Sequence, residues 1–595
     1  MFRLAMLLVL LIATPVFAET MLQGEVSGVL TKDAEPYRVQ DTLLVPYGTT
    51  LTIEAGVNVI FDAAVPVIVD GAIIAEGTST DSVRFVRGAA DHWSGIRITD
   101  GTGSFAYTRF SDGLVQGIEG YGGAIIAKGA AARVSLANCV LNGNGASSGG
   151  AIYTRDGAEL TLTDCALVGN HANGPGGGGA LSVHGPTILV DCLLSENSGY
   201  LTGTISGAVI AVRCDFIGNT SEMGPAVATR GSFTDCIFEG NTASKGGVIE
   251  PAGLVRIANS GEFIDDLPIV ETVLIGSEFI DNATSSAPIA INGDSLCHVT
   301  ISDCVIRDNV SIASNSAIDV FGRDDVEFPI TRRRPVVSIE RTVIAGNTGY
   351  GYAAIGISNA IVTAYHCTFT GNEWAPRIPG VIPYPPPTIS AFSAYESDLT
   401  ITNSILWESD GVQSSGSDVA ISYSDIMGGW PGEGNIDTDP LFVNPDANDY
   451  SLQGGSPAIG AGTLLALNIL PPPNRPDMGA IPYDWDQYER PTDVAQETDR
   501  PAAFDLLAPF PNPFNPTTTL RFSVPSESAA RIAVYDGTGR LVSVVADGSY
   551  DAGNHAVVWD GCDATGREVA SGVYVVRLTL SDRGETLTQR VTLVR

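Results

Sequence analysis

Residues 160–170 read Leu160-Thr161-Leu162-Thr163-Asp164-Cys165-Ala166-Leu167-Val168-Gly169-Asn170. Leu160 and Leu162 alternate with Thr161 and Thr163, the pattern of a half-buried β-strand. The segment recurs along the chain. Cys139, Cys165, Cys192, Cys214, Cys236, Cys304 and Cys367 each stand five residues before an asparagine, at Asn144, Asn170, Asn197, Asn219, Asn241, Asn309 and Asn372. Two further copies carry Ser277 before Asn282 and Thr342 before Asn347. Three residues before each asparagine lies a large apolar side chain, such as Leu141, Leu167, Phe216, Phe238, Phe279 or Phe369. Successive slots are 26, 27, 22, 22, 41, 27, 38 and 25 residues apart. Another strand opens on a small pair in Gly122-Gly123-Ala124-Ile125, Gly149-Gly150-Ala151-Ile152, Gly178-Gly179-Ala180-Leu181 and Gly246-Gly247-Val248-Ile249.

Strand-built repeats of this length, without a helical period, predict an all-β solenoid whose coils bury their apolar faces by stacking in parallel. A slot that accepts Cys, Ser or Thr is a small buried position, where free cysteine serves as a compact hydrophobe. Disulfides between neighbouring copies stay open at this point, and no CxxC pair invites zinc. The asparagines are expected to align as a ladder at one corner, tolerating the turn backbone and bonding to their neighbours.

These residues resemble the right-handed parallel β-helix of the pectate-lyase-like superfamily, over roughly residues 22–483. The GGA(I/L) strand with Phe-x-x-Asn is similar to the repeat of chlamydial polymorphic outer-membrane proteins. Leu51 to Val57 and Trp93 to Ile96 resemble opening coils of bacterial β-helix proteins. Asn435 to Phe442, Gly455 to Gly460 and Asp477 to Ala480 resemble their closing segment. This resemblance implies a fold and no catalytic residue, since the fold hosts lyases, hydrolases, esterases and adhesins.

The chain has 595 residues, 67 of them glycine, 17% charged, with a net charge of −35. Its three lysines, Lys32, Lys128 and Lys245, cannot form the basic stripe that nucleic acid requires. Met1-Phe2-Arg3, an apolar run from Leu4 to Thr14 and Val16-Phe17-Ala18 read as a signal peptide over residues 1–18. Residue 19 is glutamate, which speaks against a lipoprotein anchor. Its removal takes away Arg3 and no acid, so −35 becomes −36. The expectation is a chain exported across both membranes of a Gram-negative-type bacterium, secreted or held at the cell surface, with no transmembrane segment after cleavage.

The β-helix is expected over 19–483 and an acidic linker over 484–505. A small Ig-like β-sandwich of about seven short strands follows over 506–595. Pro511-Asn512-Pro513-Phe514-Asn515-Pro516, Val534-Tyr535-Asp536, Val558-Trp559-Asp560-Gly561 and Ser571-Gly572-Val573-Tyr574 resemble a type IX secretion system type A sorting domain, which is similar to the flagellar hook-capping Ig domain. The resemblance implies outer-membrane secretion machinery as a partner. The chain departs from it in ending on Arg590 and Arg595 where the family commonly has lysines.

Chemistry is sought in the two long intervals, where the excess falls at 251–267 and 321–335. Both are expected to leave the same corner of the solenoid with one regular coil between them. They bring Asp265, Asp266, Asp324, Asp325 and Arg333, with Arg332 and Arg334 beside it. Facing carboxylates would serve as acid and base in glycoside hydrolysis. An arginine near Ca²⁺ would abstract a proton from a uronate, as the pectate-lyase resemblance implies. Solvated loop tips are the alternative. Asp437, Asp439, Asp446 and Asp449 are dense enough for Ca²⁺, though their spacing fits no EF-hand and a closing-coil turn is the favoured account of them. With no catalytic signature, the function expected is a non-enzymatic surface or secreted β-helix that binds glycans or other surfaces. The alternative is a polysaccharide lyase or glycoside hydrolase working between the two insertions.

Overall fold

One turn of the chain, residues 149–174, contains every part of the repeat. After Gly149-Gly150-Ala151, strand Ile152–Arg155 belongs to a leading sheet, Glu159–Thr163 to a middle sheet and Ala166–Val168 to a trailing sheet. A two-residue step, His171–Ala172, follows Asn170. Each strand pairs in parallel with its counterparts in the coils before and after. Leu160 lies between Val134 and Thr187, and Leu162 between Leu136 and Leu189. The middle sheet runs from Gly28–Leu30 to Asp418–Ser422, and the short steps form a nine-stranded ladder from Gly145–Ala146 to Glu373–Trp374. This is a parallel β-helix, in which like positions stack on like.

The computed structural model describes residues 19–463, 475–483 and 504–593. Within these it leaves out 116, 118–119, 175–176, 245–254, 259–269, 294–296, 325–331, 352, 375–388 and 409. Near the C-terminus it leaves out 507–517, 525–527, 537–539, 551–552, 566, 568, 571 and 581–584. The chain divides into two units, Met1–Gln487 and Tyr488–Arg595.

Inside the solenoid the side chain three residues before each asparagine forms a column. Leu141, Leu167, Leu194, Phe216, Phe238 and Phe279 are paired coil to coil and fully buried. Phe216 and Phe238 stack at 4.9 Å between ring centroids, and Phe238 and Phe279 at 4.4 Å. Each such ring contributes about 2–3 kcal/mol by leaving water. The glycine pairs serve close backbone approach: a Cβ on Gly150 would sit 2.1 Å from the Gly179 carbonyl oxygen.

In the coils from Cys139 to Asn372 two corners each turn on a single residue with positive φ. It is the residue before the Cys slot (Asp164 at 52°, Asp191 at 53°, Asp303 at 56°) and the residue before the asparagine (Gly143 at 64°, Gly169 at 62°, Gly218 at 63°). Glycine, aspartate and asparagine tolerate this region best. The asparagines themselves therefore do not carry the turn, contrary to expectation. They point inward, none more than 4% exposed.

The asparagine ladder is fully bonded. Asn219 Oδ1 accepts from the backbone N–H and the Nδ2 of Asn197, both at 3.0 Å. Asn219 Nδ2 donates to the Leu194 carbonyl at 2.8 Å and to Asn241 Oδ1 at 3.0 Å. The same pattern passes from Asn144 to Asn372. Gly113 N–H donates to Asn144 Oδ1 at the first end. At the other, Asn372 donates its N–H and Nδ2 to Glu408 Oε1, at 3.2 and 2.6 Å.

The Cys slot is a second ladder. Cys165 Sγ donates to the Thr163 carbonyl at 3.2 Å and accepts the backbone N–H of Cys139 at 3.4 Å. Ser277 and Thr342 do the same with their hydroxyls, at 3.0 and 2.8 Å to the carbonyl and 3.1 and 3.4 Å from the preceding slot's N–H. Cys, Ser and Thr interchange because each is small and carries one donor and one acceptor, not because the slot is merely apolar. All nine cysteines are reduced thiols, none of them in a disulfide. Burial pushes the Cys304 and Cys367 thiols up to about 12, so both stay un-ionised.

Beyond Ile426 the chain folds back over the trailing sheet. Phe442, Tyr450 and Ala480 pack on Val343 and Ala345, and Leu452, Ala458 and Met478 on Ile405. Gly479 N–H bonds to the Asn403 carbonyl at 2.8 Å and Ala480 N–H to Thr368 Oγ1 at 2.9 Å. The C-terminal unit is a sandwich of two antiparallel sheets. One comprises Asp505–Leu506, Thr518–Val524 and Gly553–Trp559, the other Leu541–Tyr550, Ser528–Tyr535, Gly572–Leu580 and Glu585–Leu593. Phe522, Ile532, Val534, Trp559, Val576 and Leu578 fill its centre. The Trp559 indole N–H donates to the Cys562 carbonyl at 3.0 Å, which accounts for the Trp-Asp-Gly turn.

Asn219→Ala leaves two donors of Asn197 and the Leu194 carbonyl unpaired in the interior, and should cost about 3 kcal/mol or more. Hydrogen exchange over residues 194–241 reads this loss. Cys192→Ser keeps donor and acceptor and should cost no more than about 1 kcal/mol, whereas Cys192→Leu overpacks and should cost about 3 kcal/mol.

Burial, outweighing the hydrogen bonds from Asn372, raises the Glu408 carboxyl from its ordinary 4.5 to about 7. The folded chain then holds this proton more tightly than the unfolded chain. Stability therefore falls as pH rises from about 4.5 to about 7 and is flat above. Asp425, raised from 3.8 to about 7 by burial and by Asp437 and Asp439, adds a slope of the same sign. Urea midpoints should thus fall between pH 5 and pH 8. Glu408→Gln should remove a large part of the fall and stabilise the chain at pH 8 by about 3 kcal/mol.

Candidate functional site

The short steps present rows of side chains to solvent. After Asn170, Asn197 and Asn219 the chain runs outward, inward, outward: His171, Ala172, Asn173; Ser198, Gly199, Tyr200; Thr220, Ser221, Glu222. The inward residue faces the crowded corner and is small, as with Ala172, Ser221 and Ala243. Backbone bonds hold the outward rows in register: Tyr200 N–H to the Ala172 carbonyl at 3.1 Å, Glu222 to Gly199 at 3.2 Å, Ser244 to Ser221 at 2.9 Å. Neighbouring side chains are therefore spaced along the stack by about 4.8 Å. Here lies a groove of about 410 Å³, lined among others by His171, Asn173, Ser198, Tyr200, Thr220 and Glu222.

Aromatic rings stand on the same rows. Tyr200 is 38% exposed and Tyr350, at the equivalent position further along, 43%. The Tyr350 ring lies 6.5 Å from that of Trp374, whose indole N–H donates to the Tyr350 carbonyl at 3.0 Å. Hydroxyl, amide and aromatic groups in a repeating row match the alternating hydroxyl and C–H surfaces of a sugar chain. The ladder asparagines are buried, and counting the parity outward from each Asn would have pointed to these rows instead.

The two long intervals leave between the leading and middle sheets. A regular coil crosses there from Gly293 to Cys297, while the long ones cross from Ala258 to Val270 and from Asp324 to Val336. Within the expected 251–267 loop, Val255–Ala258 is a leading-sheet strand, paired with Ile289 to Asn292, so that part is no insertion. The 321–335 interval opens as an antiparallel hairpin, Arg323 opposite Arg333 and Asp324 opposite Arg332. Asp324 and Arg333 thus sit on adjacent rungs of the hairpin, while Asp265, Asp266 and Asp325 lie outside the described residues. Arg334 is committed to structure: its guanidinium binds Asp398 Oδ2 at 2.7 Å and the Glu396 carbonyl at 2.9 Å.

In the closing segment the acidic residues close turns. Asp437 Oδ1 accepts from Gly428 N–H at 3.1 Å, Asp439 Oδ1 from Leu441 N–H at 2.9 Å and Asp449 Oδ1 from Ser451 N–H at 3.1 Å. Asp446 lies in the first turn of the 3₁₀ segment Pro445–Ala447. Among the described residues no three His, Cys, Asp or Glu side chains are grouped to hold a metal ion. A second cavity, of about 380 Å³, lies where Arg341 and His366 meet Arg475, Asp477 and Tyr483. Its groups serve the seam. Arg341 binds Asp303 at 2.6 Å, Asp477 accepts the N–H groups of Gly460 and Tyr483, and burial lowers the His366 pKa.

Residues 514–584 match the family model of the FlgD Ig-like domain. Among curated proteins none matches this sequence. Among solved structures, dimeric latent PorU from Porphyromonas gingivalis is 23% identical over 15% of this chain and 9% of its own, with a TM-score of 0.14. A double-mutant tailspike of E. coli bacteriophage HK620, in complex with pentasaccharide, is 11% identical over 87% of this chain and 86% of its own, at 0.22. The receptor-binding protein of bacteriophage Det7 is 9% identical over 93% and 94%, at 0.21. The chain thus spans about a tenth of the length of PorU, and at such TM-scores these likenesses carry no argument about function.

Proposed function

We propose that this protein is an exported, cell-surface or secreted β-helix that binds a polysaccharide along the groove of its short steps, without cleaving it. The observation that carries the reading is the pair of outward rows at 171–173, 198–200 and 220–222, with exposed rings at Tyr200 and Tyr350. A ligand there finds polar groups and aromatic faces at a fixed repeat, on a backbone that the ladders keep rigid. The C-terminal Ig-like unit is proposed to direct export and attachment through outer-membrane secretion machinery, on the motifs around Tyr535, Trp559 and Tyr574. Among the described residues no helix is long and apolar enough to cross a membrane.

The test incubates the full-length protein with immobilised neutral polysaccharides (β-glucan, xylan, mannan, galactan) and acidic ones, with and without Ca²⁺. Retained protein and shortened chains are read from the same tubes. The expected outcome is retention without shortening, lost in the variant His171→Ala/Tyr200→Ala while its unfolding midpoint stays within about 1 kcal/mol of the parent. Retention that survives this variant, or no retention at all, overturns the groove. Shortened chains that Asp324→Asn abolishes would instead make the hairpin corner an active site.

A further inference from the structure

The rows that form the groove extend beyond it, and their composition says what class of chain they take. One residue past each short step stand Asn173, Tyr200, Glu222, Ser244, Ile312 and Tyr350, with Ser285 buried between Ser244 and Ile312. All of these stay on the ladder, since Ser285 N–H bonds to the Ala243 carbonyl at 3.1 Å, Ile312 to Thr284 at 3.0 Å and Tyr350 to Ser311 at 3.2 Å. Tyr200 and Tyr350 are five coils apart, with Glu222, Ser244, Ser285 and Ile312 on the coils between. The two rings are therefore separated by about 24 Å along the stack. Among the described residues of the two outward rows there is no lysine or arginine, while Glu222 and Glu373 supply carboxylates. Such a surface repels a polyanion and offers C–H faces a ring to rest on at each end.

Resting on the groove reading above, we infer that the ligand is a linear, uncharged glycan lying along the stacking axis with about one sugar per coil, gripped at both ends by Tyr200 and by Tyr350 with Trp374. A pyranose unit in an extended chain advances about as far as one coil, so a chain must reach about six sugars to touch both rings. Below that length only one ring is engaged. Above it the second contact is intramolecular, and affinity rises without any new kind of contact.

The full-length protein is titrated with a size-fractionated partial hydrolysate of whichever neutral polymer it retains, from about three to about nine sugars. Affinity should rise about five-fold or more on passing about six sugars. Tyr200→Ala and Tyr350→Ala should each abolish that step, leaving long chains bound no better than short ones. Tyr395→Ala, an exposed tyrosine outside these rows, should leave it unchanged. Equal affinity at all lengths, or a step that survives both substitutions, overturns the two-ended grip while the groove reading stands. Retention of acidic polymers alone overturns the uncharged ligand. Retention of none removes the groove reading itself.

Discussion

Each coil from Asn144 to Asn372 hangs on one amide. The asparagine at the second corner is buried where the backbone has just turned, and water cannot reach the donors and acceptors the turn exposes. Its side chain meets them all: one oxygen takes two bonds from the coil before, and one nitrogen gives to a carbonyl behind and to the oxygen ahead. A buried polar group is costly when unpaired and roughly neutral when paired. The row therefore specifies register more than it adds stability. A slip by one residue would leave a line of amides unbonded and turn the phenylalanine column outward together.

The thiol and hydroxyl row acts similarly at the first corner, with weaker bonds and a smaller side chain. Between the two corners only three residues of trailing strand are needed, and the central one is always the large apolar side chain that fills the interior. Two corners pinned in each of these coils leave the remaining connections free to vary in length. That is why intervals of 22 and 41 residues coexist in one stack, and why the outward rows beside the second corner keep a constant repeat while the loops elsewhere do not.

Much of this was legible in the residues. The Leu160-Thr161-Leu162-Thr163 alternation, the Phe column and the Cys-to-Asn spacing each follow from a periodicity that packing imposes, and the sandwich after Leu506 follows from its turn residues. What stayed hidden depends on direction rather than kind. Asn was read as the turn residue, although the glycine or aspartate before it bears the positive φ; the recurring Asp-Cys and Gly-Asn pairs carried that signal. Glu408 escaped because it stands four residues after Ser404, not five, and is not asparagine. The outward rows escaped because the repeated asparagines beside them point inward, and only inward–outward parity distinguishes the two.

The asparagine row has a direction. Each member gives toward the C-terminal neighbour and receives from the N-terminal one, so it begins on a bare backbone donor, Gly113, and ends on Glu408, which takes two bonds through one oxygen. Such a row can be lengthened anywhere between its ends without disturbing either terminus. The 22-residue coils after Cys192 and Cys214 are the simplest units for such growth. A gene that duplicates one of them in frame adds a rung already satisfied on both sides, and with it one more position in the outward rows. The reach of the surface and the number of coils would then evolve as a single trait.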